Sequence, residues 1–208
     1  MSGALADHVV VPAEDLAAKP AGRTFAEAAA LPVAAETAYR VLGQLGVEAG
    51  HTLLIHAVAG GVGLAAAQLA LARGARVLGT ASLPHHTYLR ELGVHPVTYG
   101  DGLEERITER VDKVLDASGR GVLELSVLLA GGPEHVVTIA DPGAAALGVR
   151  FSSGSAQPIP FAEVPLEEVV IPVAAAFPLE RAADAHRRSE DGHLLGKIVV
   201  IAEDILPR

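Results

Sequence analysis

The sequence contains no cysteine and no tryptophan, and aromatic residues make up only 3% of its 208 residues. Without cysteine, a disulfide scaffold, a thiolate nucleophile and a cysteine-ligated zinc site are all excluded. The scarcity of aromatic rings argues against stacking platforms for nucleic-acid bases or sugars. Half of the residues are nonetheless hydrophobic and the mean hydropathy is +0.36, so we expect a folded core rather than general disorder.

Positive charge is also scarce, because 16 lysine and arginine residues stand against 25 aspartates and glutamates and leave a formal charge of −9. An acidic chain repels phosphates, so a nucleic-acid partner is not expected. No segment provides the roughly 20 uninterrupted apolar residues of a membrane-spanning helix, and residues 1–4 lack the basic start of a secretory signal. We therefore expect a cytoplasmic protein without a membrane partner, and the alanine- and glycine-rich composition indicates a bacterial source.

Strand-type and helix-type segments alternate through the middle of the chain. Short apolar runs bounded by glycine or proline predict buried strands, and alanine- and leucine-rich segments without proline predict helices. Because this alternation is typical of βαβ units, we predict an α/β fold with a Rossmann-type, doubly wound parallel sheet. The predicted strands cover residues 51–57, 75–80, 95–99, 111–116, 135–140 and 147–152, and the predicted helices cover residues 62–73, 84–92, 103–109 and 122–130.

The two ends of the chain do not follow this alternation. Near the N-terminus we predict a strand over residues 7–11, and then one or two helices over residues 26–45, interrupted at Pro32. Residues 153–172 contain four prolines and predict an irregular connection. The remaining predictions are an apolar strand-type segment at 171–176, a helix over 179–189 and a final strand over 196–201.

Residues 57–63 carry the most informative motif, a loop with glycines at positions 60, 61 and 63 between a predicted strand and a predicted helix. Glycine permits a tight turn, and the missing side chains let the backbone approach a diphosphate. The helix N-terminus then offers free N–H groups and a partial positive charge. We expect this loop to hold the pyrophosphate of a dinucleotide; the alternative is a tight turn that binds nothing.

The end of the second predicted strand should distinguish NAD from NADP. An acidic residue there would hydrogen-bond the adenosine ribose and repel a 2′-phosphate. The sequence instead has Thr80 and Ser82, and no acidic residue follows until Glu91. Ser82 can donate to a phosphate oxygen and His85 lies just beyond it, so NADP is favoured over NAD; the alternative for the histidine is a solvated helix start.

Four stretches of the sequence resemble the zinc-independent medium-chain dehydrogenase/reductases, in particular their quinone oxidoreductase and enoyl reductase branch. Residues 4–14 look like the strand that closes the family's GroES-like domain, and residues 28–39 are similar to its helix leading to the cofactor cleft. The glycine loop matches the variant loop of this branch, and residues 192–200 are like the family's C-terminal signature. The resemblance implies an NADPH-dependent enzyme that transfers hydride to a quinone, an enone or another activated carbonyl.

The resemblance also implies roles for individual positions along the cofactor cleft. Thr37 would lie near the nicotinamide, and Tyr99 would flank the adenine side. Thr80 and Ser82 would line the adenosine ribose, and Lys197 is either a cofactor neighbour or a solvated charge. The remaining positions divide between the pyrophosphate (Ala59, Gly60, Gly61, Val62 and Gly63), the nicotinamide ribose (Ala117, Ser118 and Gly119), the nicotinamide (Ile139 and Ala140) and the closure of the cleft (Phe151 and Ser152).

Most of the family's GroES-like domain has no counterpart in this sequence. We expect residues 1–30 to be a remnant of that domain with its linker, residues 31–160 to form the dinucleotide-binding domain, and residues 161–208 to return to the remnant. Because we expect the usual substrate wall to be lacking, two alternatives stay open: a non-redox step such as cyclisation, dehydration or isomerisation, or a cofactor-binding protein that is not an enzyme. The expected partners are a small-molecule substrate and, through edge-strand pairing, a second copy of the chain in a homodimer or higher oligomer.

The sequence indicates neither a catalytic side chain nor a metal site. No two of its nine histidines are four residues apart, so no helical histidine pair is available to hold a metal ion. His56, inside the first predicted strand, is interpreted as a packed histidine rather than a catalyst.

Overall fold

The computed structural model describes residues 5–6, 8–13, 16–154 and 163–202. A six-stranded parallel sheet is its central element, with the strands in the spatial order third, second, first, fourth, fifth, sixth. Its strands are β1 (Thr52–His56), β2 (Arg76–Ala81), β3 (His95–Thr98), β4 (Lys113–Asp116), β5 (Val136–Thr138) and β6 (Arg150–Phe151). This order is that of a doubly wound sheet whose switch point lies between β1 and β4, which confirms the predicted Rossmann-type fold.

Helices cover both faces of the sheet. After the short helix α1 (Phe25–Ala29), the helices α2 (Pro32–Leu45), α3 (Gly61–Ala72) and α4 (His86–Glu91) pack on one face. The helices α5 (Leu103–Arg106) and α6 (Leu123–Ala130) pack on the other face.

Successive residues of each central strand supply the two halves of the core. In β1, Leu53 and Ile55 join the core on the side of α2 and α3, whereas Leu54 joins the core on the side of α5 and α6. All three side chains are fully buried. A strand buried on both faces reads as a continuous apolar run rather than an alternating one, which explains the pattern of residues 52–56.

Pro32 separates α1 from α2, as predicted. Helix α1 begins with a capping box, in which the Glu27 N–H donates to Thr24 Oγ1 at 3.2 Å and the Thr24 N–H donates to Glu27 Oε2 at 2.8 Å. Pro32 then occupies the first turn of α2, where its missing N–H costs no helical hydrogen bond. Gly46 ends the helix with a left-handed φ of 61°.

A second, two-stranded parallel sheet follows the main one along the chain. It pairs β7 (Val173–Pro178) with β8 (Lys197–Ile201), and α7 (Ala182–Glu190) connects the two strands. The residue directly before β8 contacts the loop that follows β1, because Gly196 forms an isolated parallel β-bridge with Gly60.

The strand predicted over residues 7–11 is wrong for the part that the structure describes. Residues 8–12 have no regular secondary structure, and Asp7 lies outside the described residues. Val10 is 99% exposed. These residues therefore have the composition of a strand but lack the neighbouring strand with which a strand must pair.

The irregular connection predicted over 153–172 lies partly outside the described residues, and its described part contains a short 3-10 turn at Leu166–Glu168.

None of the helices in the described ranges is long and apolar enough to cross a membrane.

Candidate cofactor-binding site

The glycine loop joins β1 to α3 at the carboxyl edge of the main sheet. Ala57, directly after β1, has a φ of 58°, a conformation that few residues other than glycine adopt. Gly60 precedes the first turn of α3, and no side chain of the described residues caps that turn. A Cβ atom on Gly63 would lie 2.5 Å from the carbonyl oxygen of Ala57. The helix therefore approaches the loop as closely as the sequence predicts, and glycine is required at this position.

A series of hydrogen bonds among buried polar side chains supports the glycine loop. His56 Nε2 lies 3.1 Å from Ser126 Oγ, and its Nδ1 lies 3.5 Å from Thr80 Oγ1. The Ser126 hydroxyl donates to the Val122 carbonyl at 2.7 Å, so its oxygen accepts a hydrogen bond from His56 Nε2–H. Thr80 Oγ1 in turn accepts the Ala57 N–H at 3.1 Å. This series of hydrogen bonds runs from α6 to Ala57, the residue with the positive φ, and fixes where the glycine loop begins.

Burial lowers the pKa of His56 from 6.5 to about 4, with the nearby Asp116 carboxylate opposing this shift. The unfolded chain therefore binds more protons than the folded chain between these two values, and stability falls as the pH falls through this window. We expect the free energy of unfolding to decrease by about 2 kcal/mol between about pH 7 and about pH 5 from this group alone.

Urea unfolding at several pH values measures this effect. A His56→Gln variant should lose this component of the pH dependence, whereas His186→Gln, which removes an exposed histidine of α7, should keep it. Equal slopes for wild type and His56→Gln would contradict the prediction.

The C-terminal segment lies against the loop. The Gly196 N–H donates to the Ala59 carbonyl at 2.9 Å. The Lys197 side chain covers Gly61, since a Cβ on that glycine would lie 2.8 Å from Lys197 Cε. The Lys197 ammonium forms no hydrogen bond or ion pair with the described residues. A lysine held at the positive end of a helix is repelled by the helix dipole unless an anion lies between them, so this position suits a diphosphate.

A buried carboxylate organises the neighbouring loops at the same edge. Asp116, fully buried at the end of β4, accepts the Ser118 N–H at 2.9 Å, the Ser118 hydroxyl at 2.7 Å and the Gly119 N–H at 3.2 Å with Oδ1. Its Oδ2 accepts the Thr138 hydroxyl at 2.8 Å. Thr138 Oγ1 accepts the N–H groups of Ala140 and Asp141 at 3.1 and 3.0 Å. One side chain therefore fixes the loops after both β4 and β5.

A buried arginine connects α2 with the end of β6. The Arg40 side chain is 4% exposed; its Nε donates to Glu36 Oε1 at 2.9 Å, and its Nη1 donates to the Ser152 hydroxyl. Glu36 also accepts the Thr37 hydroxyl at 3.3 Å. These hydrogen bonds fix the position of α2, which carries Thr37, relative to the end of β6.

The structure brings most of the predicted site residues to one edge. Ser82, Tyr99, Ala117, Ser118, Ile139, Ala140 and Phe151 lie at or directly after the carboxyl ends of β2 to β6, beside the loop residues Ala59, Gly60, Gly61, Val62 and Gly63. Thr37 lies in α2 and Lys197 at the start of β8. In an open α/β sheet this edge, at the switch point, is where ligands bind.

Thr80 and His85 have side-chain surroundings that the sequence did not indicate. Thr80 is only 2% exposed and its hydroxyl holds Ala57, so its side chain supports the loop and does not line an open ribose site. His85 is in a 3-10 turn after β2, and its Nε2 is buried without a hydrogen-bond partner among the described residues.

Sequence reasoning did not identify the roles of Asp116, Thr138 and Arg40. The Asp-x-Ser spacing at the end of β4 is typical of an Asx turn and was the available signal for Asp116. Contacts between distant residues, such as Arg40 with Ser152, leave no signal in a single sequence. No group of three histidine, aspartate or glutamate side chains suited to a metal ion occurs within the described ranges.

The sheet order and the glycine loop at its switch point define a Rossmann-type protein. The family model described as zinc-binding dehydrogenase matches residues 166–200. A 2-methylene-furan-3-one reductase of Solanum lycopersicum is 32% identical over 203 residues, which cover 95% of this chain and 52% of the relative. An NADPH-dependent alkenal/one oxidoreductase of the Arabidopsis thaliana chloroplast is also 32% identical over 203 residues, covering 95% and 53%.

A solved structure extends this similarity. The quinone oxidoreductase from Thermus thermophilus, whose structure was also determined in complex with NADPH, has a TM-score of 0.78 and 33% identity and is covered over 73% of its length by 95% of this chain. The chain therefore belongs to the medium-chain dehydrogenase/reductase family, among its quinone oxidoreductase-like members. It spans about half the length of the two plant relatives.

Proposed function

We propose that this chain binds NADPH and supports hydride transfer to a quinone, an enone or a similar activated carbonyl. The observation that carries the proposal is the uncapped first turn of α3 at the switch point of the sheet, with the Lys197 side chain lying across it. Oriented N–H groups and one ammonium together suit a diphosphate. The relatives named as an NADPH-dependent oxidoreductase and a quinone oxidoreductase support the same chemistry.

The described residues fit each part of such a cofactor. The first turn of α3 and Lys197 would hold the diphosphate, and the loops fixed by Asp116 would flank the nicotinamide end. When bound, NADPH supplies the hydride. Ile139 is half-buried and Phe151 is 49% exposed, so the two offer an apolar surface on which a planar acceptor can be positioned.

The end of β2 supports NADPH rather than NADH. Ser82 makes no side-chain capping bond to the 3-10 turn that follows it, so its hydroxyl is available to a ligand. No carboxylate follows β2 along the chain until Glu91, at the end of α4, so the position that would hydrogen-bond the adenosine ribose of NAD is not acidic.

Fluorescence titration with NADPH, followed by absorbance assays with quinones and enones, tests the proposal. Saturable NADPH binding and acceptor-dependent oxidation are expected. NADPH binding without its oxidation by any acceptor would contradict hydride transfer and favour a non-redox step in the same cleft. Absence of NADPH binding would contradict the whole proposal. The homodimer or higher oligomer formed by edge-strand pairing stays a prediction. The zinc-independent, cytoplasmic and bacterial assignments and the domain limits at residues 30 and 160 stay predictions as well.

A Lys197→Met variant should bind NADPH about tenfold more weakly, because it keeps the apolar stem over Gly61 but loses the charge beside the diphosphate. The matched control is Lys113→Met, which removes a lysine at the start of β4, the opposite edge of the same sheet. Equal weakening in both variants would show that only net charge is involved and would contradict a local role for Lys197.

A further inference from the structure

A cavity of about 400 Å³ lies at the amino edge of the main sheet, opposite the glycine loop. Three of its lining residues come from the starts of neighbouring strands: His51 directly before β1, Lys113 at the start of β4 and His135 directly before β5. The last turn of α6 closes another side of the cavity. A volume of this size is within the range of small-molecule sites.

Hydrogen-bond donors dominate the polar part of this lining. Lys113 Nζ lies 3.2 Å from His135 Nδ1, and because an ammonium can only donate, the ring hydrogen of His135 is on Nε2. The Glu48 N–H donates to His51 Nδ1 at 3.2 Å, which places the ring hydrogen of His51 on Nε2 as well. Both imidazoles are therefore neutral donors, and Lys113 has two further N–H bonds beyond the one to His135.

The carboxylate of the lining is already bonded. Asp112 Oδ2 accepts the Thr52 N–H at 2.9 Å, and its Oδ1 lies 3.1 Å from Arg110 Nε. Asp112 thus balances the charge of Arg110 and leaves the Lys113 ammonium as the net charge of the cavity. This local positive charge contrasts with the formal charge of −9 of the whole chain.

Two neighbouring groups of negative sign do not cancel this charge. The carbonyl end of α6 carries roughly half a negative charge, which is less than the full charge of the ammonium. The Glu134 carboxylate lies 3.6 Å from His135 Nε2 but does not line the cavity. The cavity therefore favours a ligand with a single negative charge.

An apolar surface lies beside these donors. Leu128, in the last turn of α6, lines the cavity and is 65% exposed. A ligand with an apolar body would remove part of this leucine from water. A carboxylate head offers one charge and acceptor oxygens only, whereas a phosphate ester carries up to two charges. The combination of donors, one net charge and an apolar wall thus fits a carboxylate with a hydrocarbon body.

We propose that this chain has a second ligand site, at the amino edge of the main sheet, for a small hydrophobic carboxylate. The Lys113 ammonium and the Nε2–H groups of His51 and His135 bind the carboxylate, and Leu128 contacts the hydrocarbon part. The site shares no residue with the proposed cofactor site.

Titration with hexanoate in the absence of nucleotide tests this proposal, with backbone amide chemical shifts followed by NMR. Saturable shifts are expected at residues 110–113 and 128–131, with a dissociation constant of about 1 mM. Hexanol has the hydrocarbon chain without the charge, and inorganic phosphate has the charge without the chain. Each should bind at least about tenfold more weakly than hexanoate.

Substitution of Lys113 identifies the group that binds the charge. Lys113→Met keeps the aliphatic stem but removes the ammonium, so it should weaken hexanoate binding at least about tenfold, and Lys113→Arg should restore most of the affinity. The matched control is Arg76→Gln, which removes an exposed arginine from the same edge of the sheet. Arg76 pairs with Glu109 and does not line the cavity, so this variant should bind hexanoate within about twofold of wild type.

Leu128→Asp provides a second variant that does not disturb the core, because Leu128 is mostly exposed. A carboxylate on the apolar wall should also weaken hexanoate binding at least about tenfold. The proposal is overturned if hexanoate gives no saturable shifts up to about 50 mM, if hexanol or phosphate binds as tightly, or if Lys113→Met and Arg76→Gln bind equally well. Because no nucleotide is used, these outcomes are independent of whether the chain binds NADPH.

Discussion

Replacing Gly63 by alanine is expected to lower the free energy of unfolding by about 3 kcal/mol and to weaken NADPH binding more than about tenfold. The added Cβ would meet the Ala57 carbonyl oxygen at 2.5 Å and Val58 Cα at 2.6 Å. Both are backbone atoms, so no side chain can rotate away, and α3 must move off the loop. Alanine gains only about 1 kcal/mol over glycine in helix propensity, which is too little to offset the clash.

The matched control is Gly43→Ala in the last turn of α2. No heavy atom lies within 4 Å of a Cβ at Gly43, so this substitution should increase stability by about 0.5–1 kcal/mol and leave NADPH binding unchanged. Urea unfolding and cofactor titration of both variants measure the difference. A Gly63→Ala protein as stable as wild type would show that the helix does not approach the loop this closely.

Replacing Asp116 by alanine should cost about 3–4 kcal/mol of stability. The change leaves two N–H groups and the hydroxyls of Ser118 and Thr138 without their acceptor. Asp116→Asn keeps one acceptor oxygen and should cost about half as much. Because the loops after β4 and β5 lose their common anchor, hydrogen exchange should accelerate at Gly119 and Ala140 in particular.

Asp141→Ala provides the comparison for this second prediction. Asp141 lies at the same edge, but among the described residues its side chain accepts only the Gly143 N–H, at 2.8 Å, as the cap of a 3-10 helix. Its loss should cost about 1 kcal/mol and leave exchange at Gly119 unchanged. If the Asp116 and Asp141 alanine variants were equally stable, the network across the two strands would not be the anchor that its geometry indicates.

The central sheet was predictable because its signals are local. Glycine placement after β1, apolar runs of strand length and helix-ending glycines each act within a few residues, and together they lead to the observed strand order. The strand predicted at 7–11 failed for the opposite reason: a strand depends on a neighbour, and residues 8–12 have none in the described structure.

The location of the candidate site at this edge of the sheet was predictable, but the side-chain contacts within the site were not. Parallel strands bring Ser82, Tyr99 and Ser118 to one side on topological grounds alone. The direction of the Thr80 side chain depended on His56 and Ala57, and the approach of His193 to Tyr99 joins positions that the sequence keeps far apart. Such pairings follow from the three-dimensional path of the chain and leave no periodic pattern.

The backbone bond between Gly196 and Ala59 has a consequence for biosynthesis. Domains form progressively as the nascent chain emerges from the ribosome, N-terminal parts first. The sheet around β1 can assemble while translation continues. The hydrogen bond from Gly196 to the loop after β1, however, forms only when residue 196 has left the exit tunnel. Until then, the nascent chain has the glycine loop without this C-terminal hydrogen bond, so we expect the proposed cofactor site to be completed late in synthesis.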